Sequence, residues 1–357
     1  MMAERGSIVE ECFDRGWTDG LPVVPPYADL VDEMLASLGW PAGEVLVTDA
    51  TLRLELRAEQ IASIAVMAGC LPAYGKVLRP LTELLVLDSF NLRGIATTTG
   101  GAAVLVLVSG PIVSELGFAH GSNALGTPTR VNATIGRFAQ LVRHLYGRAA
   151  SILEEFGTIG HPGRYSYLLA ETPQPVWEPF HTQFGFAREE SVVGVVAAEG
   201  PISVNNHYAE TGEQILETIA SALGHAGSTG FYYNNAPYLV MLAPSHRDLV
   251  TASYTRDAAR AFVFERSRQR TQELVRIGRI PRHVTDATKA VDLDGTRGPV
   301  GDPMLIDFIE AGGAAGGFSA VIPGWVGAVS HWKSLDTGRG TFRIERRFKP
   351  LGAPLAS

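Results

Sequence analysis

Seven consecutive apolar residues, Ala102-Ala-Val-Leu-Val-Leu-Val108, closed by Ser109-Gly-Pro111, leave no side of that segment suited to water. A half-exposed strand alternates apolar and polar residues, so an unbroken run of this length reads as a central strand covered on both faces. The same grammar returns at Val192-Val-Gly-Val-Val-Ala-Ala198, which turns at Glu199-Gly-Pro201, and at Pro237-Tyr-Leu-Val-Met-Leu-Ala243, which feeds Pro244. Strands of this kind, interleaved with helical patterns at Tyr27–Leu38, from Ala58 to Gly69, over Pro72–Leu87, Thr127–Arg148, Gly212–Leu223 and Thr255–Ile277, predict an α/β fold. The expected architecture is two α/β lobes with mixed or mostly parallel sheets. A strand that ends in a small residue plus proline and then enters a helix occurs in both halves, which suggests an internal pseudo-repeat.

A chain of 357 residues suits two lobes. The Gly-, Pro- and aromatic-rich stretch 157–180 is the expected connection, between an N-terminal lobe over 1–156 and a C-terminal lobe over 181–357. With 46% hydrophobic and 19% charged residues, there is ample material for buried sheets. A net charge of -7 argues against nucleic acid as a partner, because phosphate binding needs clustered Lys and Arg. The apolar runs are too short to span a bilayer, and only Cys12 and Cys70 are present, so no disulfide framework is indicated. The expectation is a cytoplasmic protein of small-molecule chemistry, not membrane-bound, assembled as a homo-oligomer.

Polar residues that carry chemistry gather just after the hydrophobic segments. In Ala68-Gly-Cys70-Leu-Pro a thiol sits at a Gly-flanked turn before a helix, where helix-end N–H groups favour thiolate; the alternative is a small packed cysteine. In Phe118-Ala-His-Gly-Ser122-Asn123-Ala-Leu-Gly126, followed by Arg130 and Asn132, amide and backbone donors with a guanidinium could hold an anion; the alternative is a capped loop. Gly160-His161-Pro-Gly-Arg164-Tyr165 lies in the connection and His181 directly follows it, either closing over a substrate or forming rigid turns. Glu199 ends a strand, and Asn206 and His207 follow, which is where doubly wound sheets place acid, base or ligand groups. Finally, Ala311-Gly312-Gly313-Ala-Ala-Gly-Gly-Phe-Ser319 is a run whose backbone could meet an anion or let another segment pass closely.

Five segments together, Trp17-Thr-Asp-Gly-Leu-Pro-Val-Val-Pro-Pro26, Ala68-Gly-Cys70, Val131-Asn-Ala-Thr-Ile-Gly136, Gly160–Tyr165 and the Gly-rich run to Gly-Trp325, resemble a bacterial family associated with proteins named for a Sec-Gly-Ser-Cys (UGSC) motif. The similarity spans most of the chain. This sequence has neither selenocysteine nor Gly-Ser-Cys, so the resemblance implies that the loops belong to one site and implies no redox role.

The leading expectation is an enzyme of the hydrolase, lyase or thiol-transfer type acting on a small anionic metabolite in an inter-lobe cleft. Cys70 would be its nucleophile, or His207 and Glu199 its base and acid. Ser122, Asn123, Arg130, Asn132, His161, Arg164, Asn206, Gly312, Gly313 and Ser319 would hold the substrate. No cofactor is specified. A divalent metal on His181, His207 and Glu199 is one alternative, although no His-Glu-x-x-His or Cys-x-x-Cys supports it. A non-catalytic small-molecule-binding protein or partner subunit is the other.

Overall fold

A computed structural model describes residues 2–49, 54–126, 129–149, 157–281, 292–344 and 347–350. Helices α1 (Met2–Asp14) and α2 (Ala28–Leu38) open the chain, then hairpin strands β1 (Val45–Asp49) and β2 (Leu54–Arg57), and helices α3 (Ala58–Ala68), α4 (Gly75–Leu85) and α5 (Leu92–Thr97). Next come β3 (Ala103–Ser109), α6 (Ile112–Glu115), α7 (Arg130–Ala149), β4 (Leu168–Ala170), β5 (Val192–Ala198) and β6 (Ile202–Asn205). They are followed by α8 (Gly212–Leu223), α9 (Gly230–Tyr233), β7 (Tyr238–Leu242), α10 (Pro244–Thr251) and α11 (Arg256–Arg266). The remainder is β8 (Gln269–Arg270), α12 (Thr271–Arg276), β9 (Thr296–Arg297), β10 (Ile306–Glu310), β11 (Phe318–Pro323), β12 (His331–Ser334), β13 (Gly340–Ile344) and β14 (Arg347–Pro350).

Two mixed sheets form the centre, one ordered β14-β13-β12-β5-β3-β4 and the other β10-β7-β11-β6. All seven residues of β3 are buried, as its lack of a polar break requires. Ala103, Leu105 and Leu107 face a core shared with Leu239, Ile309 and Ile322 of the second sheet. Val104, Val106 and Val108 face the opposite core, built with α2, α3, α4 and α7. On the second sheet Val240, Leu242, Phe308 and Val321 face a third core, built with α8 and α11. The period-2 alternation of side chains thus sorts the chain into four layers: helices, sheet, sheet, helices.

The two sheets repeat one pairing scheme. In the first, β3 runs parallel to β4 and antiparallel to β5; in the second, β7 runs parallel to β10 and antiparallel to β11. Taking β3 to β6 as one half of the repeat and β7 to β12 as the other, each sheet then takes its next strand from the other half, β12 pairing with β5 and β6 with β11. The crossover to the parallel strand passes through α7 in one case and α11 in the other. Each parallel strand is preceded by a Gly-x-Pro 3₁₀ turn, Pro162–Arg164 or Pro303–Leu305, capped by the preceding His161 or Asp302 side chain.

Several expectations change here. The six-stranded sheet draws on both halves of the chain, so the division at 157–180 does not follow the sheets, and β4 lies inside the expected connection. The helix expected over Thr255–Ile277 is broken: α11 stops at Arg266 and β8 intervenes before α12. Part of the Gly-rich run is strand β11, which holds Ser319. The expected cap Thr127 lies outside the described residues. Among the described residues, no single helix is long and apolar enough to cross a membrane.

Candidate functional site

Helix α7 organises the N-terminal motifs. Arg130, Thr134 and Arg137 follow at i, i+4 and i+7 and therefore share a face. Arg130 Nε donates to the Gly69 carbonyl at 3.0 Å. Arg137 clamps the Asp19 carboxylate through Nε and Nη2 at 3.0 and 2.7 Å, and donates to the Pro22 and Leu21 carbonyls. Val24 N donates to the Met67 carbonyl, which ties the Trp17–Pro26 segment to the Cys70 turn. On another face of α7, Gly136 lets Ser166 and Tyr167 approach; a Cβ there would stand 2.4 Å from Ser166 Oγ. Three of the five motifs that carry the family resemblance thus gather around the helix that contains a fourth, Val131–Gly136.

Beyond the C-terminal half of α7 is a cavity of about 640 Å³ lined by Asp19, Arg143, His144, His161, Arg164 and Tyr165, with Gly157 and Ile159–Gly160 at its wall. Among the described residues of the lining, Asp19 is the carboxylate, and it is committed to Arg137. Arg143 is buried beside Gln140, to which its Nε donates at 3.2 Å, and Gln140 in turn bonds both backbone polar groups of Val104. Arg164 Nη2 donates to the Gly100 carbonyl at 3.3 Å. His161 Nδ1 accepts from Gly163 N at 3.1 Å, so its ring proton is on Nε2. Burial pushes the His161 pKa below the usual value, partly offset by the Ala198 carbonyl, and a neutral ring follows.

Glu199 adjoins this neighbourhood. Tyr167 Oη donates to its backbone carbonyl at 3.0 Å, and its carboxylate lies 4.0 Å from where a Gly100 Cβ would stand. Burial raises the Glu199 pKa, with Arg279 opposing. A carboxyl that holds its proton more firmly than usual suits a general acid.

The other expected site residues fall into separate groups. Cys70 is buried in the helical core, its thiol pushed up to about 12 by burial, with Thr134 and Arg130 opposing weakly. The expectation of a stabilised thiolate is therefore corrected: a 3₁₀ turn, Pro72–Tyr74, follows Cys70, and desolvation outweighs the nearby positive charge. Asn132 is engaged locally, accepting from Ala119 N and Thr129 Oγ1 and donating to the Ala119 carbonyl. Asn123 occupies a left-handed turn at φ 58°. Ser122 packs against Gly313, where a Cβ would meet its Oγ at 2.6 Å, and Gly312 N donates to the His120 carbonyl. The Gly-rich run thus serves close passage.

His207 Nδ1 accepts from Gly317 N at 3.0 Å and its ring meets Phe318 edge-on, so it is engaged there and not with Glu199. Ser319 bonds buried His246, whose other nitrogen donates to the Asn206 carbonyl. His181 is fully buried between Ser109 and the Ala187 carbonyl. Among the described residues no three His, Cys, Asp or Glu side chains gather in a metal-holding arrangement, so the set His181, His207 and Glu199 is not assembled. The cavity contains none of Cys70, Ser122 or His207.

Sequence reasoning passed over Asp19 and Arg143 as site residues. Gln140 and Arg143, polar residues three apart that interrupt the otherwise apolar stretch Phe138–Arg143 of this helix, were the available signal. Compared with known proteins, the chain matches no family model and no curated sequence.

Proposed function

We propose that the cavity beside Gly160–Tyr165 is the active site of an enzyme acting on a small anionic metabolite. The observation that carries this reading is the lining itself: Arg143 and Arg164 meet in one cavity with His144 and His161, while Asp19 is neutralised by Arg137. Guanidinium pairs recognise carboxylate or phosphate through planar, charge-assisted hydrogen bonds. A volume near 640 Å³ suits a metabolite rather than a polymer. Glu199 lies just outside this lining, beside Gly100, whose carbonyl accepts from Arg164; with its raised pKa it is our candidate for giving a proton to a leaving group, as in lyase or hydrolase chemistry.

The test is turnover. Purified protein is incubated with mixtures of small carboxylates and phosphate esters, and products are followed by NMR. Turnover that falls about a hundredfold in Glu199→Gln, with folding unchanged by circular dichroism, supports the assignment. Turnover that persists in Glu199→Gln, or that vanishes in Cys70→Ala with the fold intact, contradicts it.

A further inference from the structure

A second groove, of about 670 Å³, occupies the corresponding place in the other half of the molecule. The first cavity takes a buried arginine, Arg143, from the crossover helix α7 and residues from the Gly-x-Pro turn before β4. The second takes a buried arginine, Arg260, from the crossover helix α11 and Met304 from the Gly-x-Pro turn before β10. The internal repeat has therefore duplicated a concavity along with the strands.

The charge of the two differs. In the groove Arg260 pairs with Asp257 at 2.6 Å, and Glu178 pairs with Arg188 at 2.6 Å. Arg256 donates to the Glu178 carbonyl and lies 5.5 Å over the Trp177 ring. Two arginines against two carboxylates leave the lining balanced, with no excess charge to attract an ion. What it offers instead is indole, phenol and thioether surface from Trp177, Tyr254 and Met304, beside the hydroxyls of Thr182, Thr251 and Ser253.

Trp177 is held in place before any ligand arrives. Its backbone N–H donates to buried Glu310 at 2.8 Å, its Nε1 donates to the Tyr254 carbonyl at 3.1 Å, and its ring packs edge-on against Phe308. A fixed aromatic platform costs little ordering entropy on binding. We propose that this groove is a second ligand site, taking a neutral polyhydroxyl compound with an apolar face, a saccharide in chemical class. Hydroxyls meet Thr251, Ser253 and, as an acceptor, Thr182 Oγ1, whose own proton goes to the Pro179 carbonyl, and C–H faces meet the indole, phenol and thioether surface that lines the groove. The proposal is independent of the reading of the first cavity.

The test uses the full chain with glucose, ribose and sucrose, by saturation-transfer NMR and titration calorimetry. Expected is saturable binding of at least one of the three, weakened about tenfold or more in Trp177→Ala. Ser253→Trp, which fills the groove from an exposed position and spares the core, weakens it likewise, whereas Arg164→Gln in the other cavity leaves it unchanged. Saccharide binding that is absent in the wild type, unaltered in Ser253→Trp, or displaced by inorganic phosphate overturns the proposal.

Discussion

At the scale of single residues, burial decides what Cys70 and Glu171 can do. The Cys70 thiol, pushed up to about 12, carries almost no thiolate near neutrality. Thiol-specific reagents are therefore expected to label it slowly at pH 8 in the native protein and rapidly only after denaturant is added; fast native labelling contradicts this. Ser109 Oγ lies 2.5 Å from Glu171 Oε2 and 2.6 Å from His181 Nδ1, while His181 Nε2 faces the Ala187 carbonyl at 2.9 Å. That carbonyl only accepts, so Nε2 bears a proton, and burial, which lowers the His181 pKa, keeps the ring neutral. The Ser109 hydroxyl donates to Glu171 Oε2, and Phe180 N donates to both carboxyl oxygens at 2.8 and 2.9 Å. Burial outweighs these donors and raises Glu171 to about 7 from an ordinary 4.5. A raised folded-state pKa means stability that is full below 4.5 and lost as pH rises through about 7. Glu171→Gln, a mimic of the neutral acid, is expected to flatten the melting temperature between those limits. An unchanged pH profile contradicts the assignment.

At the scale of elements, α7 and its clamp on the N-terminal segment matter most. Asp19 and Arg137 side chains are 7% and 16% exposed, so removing one partner strands a largely desolvated charge. Arg137→Met should cost about 3 kcal/mol in denaturant unfolding. It should also loosen the Trp17–Pro26 segment, read as faster hydrogen exchange at Val24. A loss within about 0.5 kcal/mol, the range of a surface substitution, counts against a fixing role. Elements with a strong local signature were legible in the sequence. The apolar run and its proline stop located β3, the Thr211 cap with Gln214 agrees with the start of α8, and Gly39 in a left-handed conformation ends α2 as expected. Short strands were not legible: β4 is three residues and β6 has only one fully buried position, so neither shows a period. The break after α11 was also hidden, because Arg266–Arg270 is polar enough to continue an exposed helix.

At the scale of the whole molecule, strands exchanged between the halves bind them into one unit. Without β12 the first sheet loses one of the two partners of β5, and without β6 the second loses one of the two partners of β11. Calorimetry is expected to show a single cooperative transition, and a fragment ending at residue 180 should not fold alone; two separate transitions contradict this. The repeat was visible in the sequence as a grammar of strand, small residue and proline. The exchange was not, because pairing across sheets leaves no mark on local pattern. The candidate site was half legible for the same reason: His161 and Arg164 were singled out individually, while Asp19 and Arg143 join them only through the approach of α7 to the Gly-x-Pro turn.

The central claim is that the Arg143 and Arg164 cavity binds small anions. Calorimetric titration of malonate and inorganic phosphate into wild type and Arg164→Gln, at low ionic strength, addresses it directly. Saturable binding of at least one anion is expected in the wild type, weakened about tenfold in Arg164→Gln while its melting temperature is retained. No saturable binding to the wild type, or equal affinity in the two proteins, contradicts it.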